Sequence, residues 1–277
     1  MSKLITIYTY LVEVGHAYWD KPVTDFIPEL AAAAVNCSAA EDPLSCTGWD
    51  SITLGALASH LAGVARGHQT MPADGLINGL PAILGGLPPA PVENLPLCSN
   101  TPCSRADALG AYVQEPPAVL PFRTPVYSNG AYQLLGYALE NITGRSIEDL
   151  IEKDVFSALG MENSSYSLKN GTAGVIPINA TAGWNIPQGD AGAAGGVYST
   201  QNDMVRLGQA ILNNTQLSTI DTRKWMKPLT HTAAWQVSVG LAWEIVRWKV
   251  ENRIVDVYTK QGDFGKYSPT MQTYGSS

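Results

Sequence analysis

The chain has 277 residues, of which 45% are hydrophobic and 15% are charged. A chain of this length and composition can bury a substantial core, which argues against disorder and favours one large α/β domain or two small ones. The formal net charge of -7 and the lack of a basic block argue against nucleic acid as a partner.

Apolar residues at helical spacing predict two helices in the first part of the chain. The first covers residues 2–18, and the second covers residues 52–63 with Thr53 as its N-cap. Residues 71–121 are rich in Pro, Gly and Asn and predict a long loop with a short helix over Arg105–Gln114. Long loops of this kind often carry function.

Three more helices are predicted after this loop, over Asn129–Thr143, residues 146–155 and residues 200–213. Ser146 and Thr200 are the expected N-caps of the second and third, each followed by an aspartate three residues on. The last helix is expected to turn four apolar residues inward, namely Met204, Leu207, Ile211 and Leu212.

The pattern changes to strands near the end of the chain. Residues 237–245 and 254–259 predict two strands joined by a charged turn at residues 251–253. We therefore predict a single α/β (α+β) domain over residues 1–277. Its helical region is expected over about residues 1–185, and its sheet-bearing region over about residues 186–277.

The four cysteines form two local pairs along the chain, Cys37 with Cys46 and Cys98 with Cys103. Neither pair has CxxC spacing and no histidine-rich segment accompanies them, which argues against a zinc site. Two short disulfide loops are the preferred interpretation, and four unpaired thiols are the alternative.

Glycosylation sequons and paired cysteines together favour a secreted or secretory-pathway protein. The chain has six N-x-[S/T] sequons, at Asn36, Asn141, Asn163, Asn170, Asn179 and Asn213. No signal peptide is recognisable, because residues 4–14 lack both a basic flank and a small-residue cleavage site. This contrast leads us to expect that N-terminal sequence is missing.

Three short motifs carry residue types that acyl-transfer chemistry uses. They are Ser2-Lys3 at the start of a predicted helix, Tyr127-Ser128-Asn129 directly before another, and Lys260-Gln261-Gly262 at the end of a predicted strand. A helix N-terminus stabilises negative charge on a serine, a lysine one turn later assists deprotonation, and a loop tyrosine relays the proton. Each motif alone is weak, and their order and contexts are informative.

In this order the motifs resemble the serine β-lactamase and penicillin-binding-protein family, closest to its class C branch and to fungal-type members. Further stretches resemble the same family, namely TLGALASHLAGVAR at 53–66, PVYSNGAYQLLGYALENITG at 125–144, FSALGM at 156–161, GAAGGVYSTQNDMVRL at 192–207 and TKQGDFGKY at 259–267. The resemblance implies a serine β-lactamase/transpeptidase-like fold with a helical region and an incomplete antiparallel sheet.

The resemblance also implies a role for each motif residue. Lys3 is expected to assist acylation, Tyr127 to act as general acid/base, and Asn129 to contact substrate. Lys260 is expected to be the third-motif lysine, and Gly262 a position of close approach on the strand. Each residue also has a competing, purely structural interpretation. Tyr127 would be an aromatic residue of the capping loop, Ser128 and Asn129 would cap the following helix, and Lys260 would be a solvated strand end. His60 is interpreted as a structural histidine at a helix end.

The family pattern places the S-x-x-K serine one position before Met1. Ser2 adjoins Lys3 and, because neighbouring helix residues point about 100 degrees apart, it is not expected to face Lys3 as the nucleophile would. Residues 268–277 also depart from the family pattern. A wrong gene start and end or a decayed gene are the preferred explanations, and a non-catalytic role is the third.

The implied function is a serine hydrolase or acyltransferase that acts on a small-molecule acyl, ester, amide, β-lactam or peptide-like substrate, with fungal secondary metabolism as one setting. The alternative is a pseudoenzyme or ligand-binding remnant, and a non-functional product is a further one. Without an HExxH motif, a P-loop or a long apolar run, we expect no metal, no cofactor and no membrane span. The sequence leaves the oligomeric state open.

Overall fold

The computed structural model describes residues 1–67, 104–168, 174–176, 184, 188–263 and 267–274. Within these ranges the helices are α1 (Ser2–Val14), α2 (Pro28–Asn36), α3 (Leu54–Ala58), α4 (Arg105–Gln114), α5 (Asn129–Thr143), α6 (Ile147–Leu150), α7 (Gly192–Gly195), α8 (Gln201–Leu212) and α9 (Thr219–Trp225). The strands are β1 (Thr230–His231), β2 (Val237–Val239), β3 (Glu244–Val250), β4 (Arg253–Gln261) and β5 (Thr270–Thr273). Short 3₁₀ turns occur at Val23–Asp25 and Gly189–Ala191, and a π-helical turn at Ile151–Ser157.

Helix α1 lies at the centre of the helical region. Its residues 2–11 are all buried, because apolar side chains recur on every face of the helix. It packs against α5, α7 and the π-helical turn. Gly15 has a positive φ of 60° and ends the helix at Val14, so the predicted end at residue 18 is wrong.

Helix α5 occupies the bounds that its sequence predicts. The Ser128 side chain accepts a hydrogen bond from the Ala131 amide at its start, and Gly144 ends it in the left-handed conformation. Residues 129–139 are buried, and the helix packs on α1, α3 and α7. Ser128 caps α5 and also belongs to the second motif. The cap therefore places this motif at the N-terminus of α5.

Helix α4 has the predicted bounds, whereas α3, α6 and α8 occur with altered ends. Thr53 caps α3 as predicted, but the helix stops at Ala58 because His60 adopts a positive φ of 62°. Helix α6, capped by Ser146, continues as the π-helical turn to Ser157. Helix α8 begins after its Thr200 cap, but Leu212 is 48% exposed, so its predicted inward orientation is wrong.

Three helices were not predicted from the sequence, namely α2, the four-residue α7 and α9. Helix α2 consists largely of alanine and has a weak apolar face, and α9 carries mixed polar residues over only seven positions. Helix α9 forms because Trp225 is fully buried, with its ring centroid 6.0 Å from that of Tyr8 on α1. Its ring also lies 5.2 Å from Trp243, which leads into β3 and so ties the sheet to the helices.

All five strands pair antiparallel in chain order, β1-β2-β3-β4-β5. The single strand predicted over 237–245 is wrong, because Gly240 and Ala242, which has a φ of 63°, break it into β2 and the start of β3. The turn between β3 and β4 lies where predicted, with Glu251 at a φ of 52°. Strand β5 pairs with β4 through the register Lys260↔Met271, so part of the divergent tail adds a strand to the sheet.

A disulfide joins Cys37 to Cys46 with a sulfur–sulfur distance of 2.01 Å, which confirms the first predicted pair. Cys98 and Cys103 lie outside the described residues, as do the sequons at Asn170 and Asn179 and most of the predicted loop at 71–121. The remaining four sequon asparagines are exposed, namely Asn36, Asn141, Asn163 and Asn213. Among the helices of the described ranges, none has the length and apolar character needed to cross a membrane.

Candidate active site

The three motifs meet at one place, where the start of α1, the start of α5 and the end of β4 converge. The Lys3 ammonium donates to Asn129 Oδ1 at 2.5 Å. Its Nζ lies 4.7 Å from the centroid of the Tyr127 ring, and Lys260 Nζ lies 5.3 Å from the same centroid. The fold therefore brings together Lys3, Tyr127, Asn129 and Lys260, which are separated by up to 257 positions in the chain.

Lys3 is held by oxygen acceptors from two different helices. Besides Asn129, it donates to the Ala194 carbonyl on α7 at 2.6 Å, and the residue is only 2% exposed. Ser2 points elsewhere, since its Oγ accepts a hydrogen bond from the Val197 amide at 3.2 Å. Ser2 is therefore committed to the backbone of a different segment, in agreement with the expected divergence of neighbouring helix residues.

Tyr127 is 38% exposed, so a ligand can reach this residue from solvent. Its position is set by His60, whose ring centroid lies 4.8 Å from that of Tyr127. The His60 carbonyl accepts from the Val126 amide at 2.9 Å, and its Nδ1 accepts from the Ser128 amide at 3.2 Å. His60 thus holds the residues on both sides of Tyr127.

The charge state of His60 follows from its surroundings. Burial first, and then the positive charges of Lys3 and Lys260, hold the pKa of His60 well below its usual value of 6.5. Because Nδ1 accepts a hydrogen bond, the neutral ring carries its proton on Nε2. His60 is therefore a neutral positioning residue, which agrees with a structural role and adds a contact to Tyr127 that the sequence did not reveal.

Lys260 points into the site from β4 and is only 2% exposed. It donates to Glu244 Oε1 at 2.5 Å and to the carbonyl of Gln261 at 3.2 Å. Glu244 is the first residue of β3, and its backbone pairs with Thr259, the neighbour of Lys260. Sequence reasoning missed Glu244, although a hairpin register counted from the turn at residues 251–252 would place it beside the third motif.

Gly262 allows the end of β4 to approach the start of α1. A β-carbon at this position would lie 3.1 Å from the Met1 nitrogen and 3.3 Å from Cγ of Pro269. The Gly262 amide donates to the Pro269 carbonyl at 2.9 Å, and this hydrogen bond holds the C-terminal end of β4 in place. A larger residue would require these neighbours to shift by a few tenths of an ångström. The role of Gly262 in approaching a substrate stays a prediction.

Arg66 is a second site residue that sequence reasoning missed. Its Cζ lies 5.6 Å from the Tyr127 ring centroid, and the residue is exposed. Its carbonyl accepts from the amides of Asn129 at 2.9 Å and Gly130 at 3.3 Å. The backbone of Arg66 therefore rests on the N-terminus of α5, and its side chain adds a third cation beside Tyr127.

This arrangement suits proton transfer and binding of a negatively charged group. Lys3, Lys260 and Arg66 surround the partly exposed Tyr127, and the carboxylate of Glu244 offsets the positive charge of Lys260. In the described part of the chain, no group of three or more His, Cys, Asp or Glu side chains is disposed to hold a metal ion. The groups that the site presents to a ligand are amines, a guanidinium, a phenol and an amide.

The sequence profile of the family described as Beta-lactamase matches residues 3–271 of the chain. This match includes Lys3 and the whole of the second and third motifs, and it extends from α1 into β5. The chain belongs to the beta-lactamase family. Its family membership agrees with the antiparallel sheet and with the convergence of the motifs.

Curated relatives of this beta-lactamase-family chain include fungal proteins. A "Beta-lactamase-like protein" of Arthroderma benhamiae is 30% identical over 250 residues, which cover 87% of this chain and 40% of the relative. A "Probable hydrolase M10" of a Phoma species is 27% identical over 98% of this chain and 45% of the relative. The chain thus spans about half the length of the curated relatives it matches, or somewhat less.

Solved structures show the same fold. A D-stereospecific amidohydrolase from Streptomyces aligns with a TM-score of 0.70 and 17% identity, over 99% of this chain and 76% of that protein. A class C beta lactamase from Rhodobacter sphaeroides aligns with a TM-score of 0.65 and 16% identity, over 99% of this chain and 74% of that protein. These matches establish the β-lactamase/transpeptidase-like fold.

Proposed function

We propose that this chain forms the acid–base and substrate-binding part of an acyl-transfer site that works through a serine ester. The observation that carries the proposal is the contact of Lys3 Nζ with Asn129 Oδ1 at 2.5 Å, beside Tyr127 and Lys260. In the S-x-x-K register, Lys3 serves a serine three residues before it, which is the position next to Met1. Lys3 and that serine would lie on one face of the helix, one turn apart.

The proposed reaction has two acyl-transfer steps. In the reacting form Lys3 is a neutral amine. The serine oxygen attacks the substrate carbonyl carbon while its proton passes to Lys3, and Tyr127 gives its proton to the leaving oxygen or nitrogen and regains one from Lys3. Water, or an acceptor alcohol or amine, then attacks the carbonyl of the acyl-serine and returns a proton to the serine oxygen. Asn129 orients the acyl group, and Gly262 lets the backbone of β4 approach it.

The substrate class that we propose is a small-molecule ester, amide or β-lactam. The beta-lactamase family membership supports it, as do relatives named as probable hydrolases and a fold neighbour named as an amidohydrolase. The curated relatives are more than twice as long as the aligned part, since it covers 40% and 45% of them. The activity of the whole protein is therefore part of this proposal.

Fluorophosphonate labelling tests the position of the nucleophile. Cleavage of a removable fusion would leave Ser directly before Met1 in one protein and Ala in a matched control. We expect intact-mass analysis to show one adduct on the serine form and none on the alanine form or on the unextended chain. Lys3→Met in the serine form should slow labelling by about 10²- to 10⁴-fold, the usual contribution of a general base.

Two results would count against this proposal. Labelling of the unextended chain would place the nucleophile elsewhere. A folded serine form that does not label would favour the alternative of a ligand-binding relative without catalysis.

We also propose a secretory location for the protein. The Cys37–Cys46 disulfide supports it, because such bonds form and persist in oxidising compartments. The four exposed sequon asparagines of the described residues are accessible to glycosylation.

A further inference from the structure

The three cations beside Tyr127 differ in exposure and in whether a carboxylate or another acceptor already binds them. Lys260 is buried and paired with Glu244 at 2.5 Å. Lys3 is buried and held by Asn129 and Ala194. Arg66 is exposed, and no carboxylate in the described part of the chain forms an ion pair with it. Its guanidinium is therefore the cation best placed to receive an anion from solvent.

The backbone that carries Arg66 is firmly attached to α5. Ser128 Oγ donates to the Ala65 carbonyl at 2.8 Å, in addition to the two amides that donate to the Arg66 carbonyl. Gly67 follows with a φ of 95°, and a β-carbon there would lie 2.9 Å from the Gly130 nitrogen. The side chain of Arg66 thus projects over Tyr127 from a fixed base, which lowers the entropic cost of binding a ligand.

We propose that Arg66 is the specificity-determining residue of this site and binds a carboxylate group of the substrate, while Glu244 keeps Lys260 from doing so. A guanidinium presents paired donors that match a carboxylate, whereas a buried ammonium already bonded to Glu244 would have to exchange one carboxylate for another. This inference rests on the proposed function and narrows its substrate class to acyl compounds that carry a carboxylate.

The electrostatics of the site agree with this assignment. Lys3, Lys260 and Arg66 surround Tyr127, and Glu244 offsets one positive charge, so the site is locally positive in a chain with a formal net charge of -7. The rest of the surface repels anions on average, so an anionic substrate is drawn to this position. Since Arg66 is exposed, the attraction should weaken as salt rises.

The test compares two ligands of equal shape, 4-phenylbutyrate and its neutral amide, by isothermal titration calorimetry on the unextended chain. We expect the carboxylate to bind about tenfold more tightly than the amide, the usual strength of a hydrogen bond to a charged group. Arg66→Gln should reduce this ratio to about one, and Glu244→Gln should increase it because Lys260 loses its partner.

Arg105→Gln is the matched control. Arg105 also lies over a tyrosine ring, with its Cζ 4.2 Å from the Tyr137 centroid, but it pairs with Glu140 away from the three motifs. This variant should keep the tenfold preference. Circular dichroism and thermal unfolding should show that all variants remain folded.

Three results would overturn the inference. They are equal binding of the two ligands by the unaltered chain, no detectable binding of the carboxylate, and a preference that survives Arg66→Gln but is lost in Lys260→Met. Because calorimetry reports binding without a nucleophile, failure here is distinguishable from failure of the serine form to react with fluorophosphonate.

Discussion

At the residue scale, the site depends on contacts that neighbouring residues in the chain do not reveal. His60 ends α3 in a positive-φ conformation and so looks like an ordinary helix-end residue. In the folded chain it forms hydrogen bonds with the amides of Val126 and Ser128, and its ring contacts that of Tyr127 in a tilted arrangement. The neutral ring of His60 therefore positions Tyr127, the proposed acid/base residue, once the helical region has folded.

The depressed pKa of His60 makes the free energy of unfolding depend on pH. In the unfolded chain this histidine binds a proton below its usual pKa of 6.5, whereas in the folded chain it stays neutral. The unfolded state then holds more protons, so stability is complete above about pH 6.5 and falls as the pH is lowered below it. The contribution of His60 to this slope is at most about 1.4 kcal/mol per pH unit.

Urea denaturation at pH 7 and pH 5 measures this effect. His60→Asn keeps an acceptor for the Ser128 amide and tolerates a positive φ, so it should flatten the pH dependence without preventing folding. His231→Asn, which removes an exposed imidazole, serves as the control and should leave the His60 contribution in place. An equal pH slope for His60→Asn and the unaltered chain would contradict the prediction.

At the element scale, helix caps decide where the site residues stand. Ser128 begins α5 and places Tyr127 just before the helix and Asn129 at its first turn. Its hydroxyl both accepts from the Ala131 amide at 2.9 Å and donates to the Ala65 carbonyl at 2.8 Å. One side chain thus starts the helix and attaches the segment that carries Arg66.

Ser128→Ala should cost more stability than an ordinary cap. We expect the free energy of unfolding to fall by about 2 kcal/mol, because the variant loses a cap and leaves a carbonyl without its donor. Ser104→Ala removes the exposed cap of α4 and should cost about 1 kcal/mol. Chemical denaturation compares the two, and equal losses would show that the bond from Ser128 to Ala65 adds nothing.

At the scale of the whole molecule, one face of the β3–β4 hairpin carries an apolar row that the described residues leave open. Trp248 is 62% exposed and Val250 is 51% exposed, and Trp248 stands opposite Val255 on β4. Alternation along the strands puts these three side chains on the same face. An apolar surface of this kind promotes association between chains.

We expect the unaltered chain to associate weakly through this face, and Trp248→Thr to reduce that association while keeping a residue that suits a strand. Sedimentation velocity over a range of protein concentrations should show less concentration-dependent association than for the unaltered chain. Trp235→Thr is the matched control, because Trp235 is 78% exposed but lies in the loop before β2. Identical sedimentation of both variants and the unaltered chain would exclude the hairpin face as the contact.

The sequence by itself determined the family, the three motifs and the starts of most helices. Capping side chains bond within three residues and apolar spacing repeats within a turn, so α4 and α5 were predicted with the bounds they have. The first disulfide pair is equally local, since its cysteines are nine positions apart in the chain. Weakly patterned elements such as α2 and α9, and the break between β2 and β3, escaped prediction because they depend on packing against distant residues.

The tertiary structure alone decided what surrounds the motif residues. Glu244 meets Lys260 through a hairpin register, and Arg66 meets Tyr127 because two amides of α5 bind its carbonyl. Each contact joins positions that neither helical nor strand periodicity relates. These long-range contacts set the charge of the site, because electrostatic energy depends on distance in space and on burial. They therefore also decide why Arg66, and not Lys260, is proposed to bind an anionic substrate.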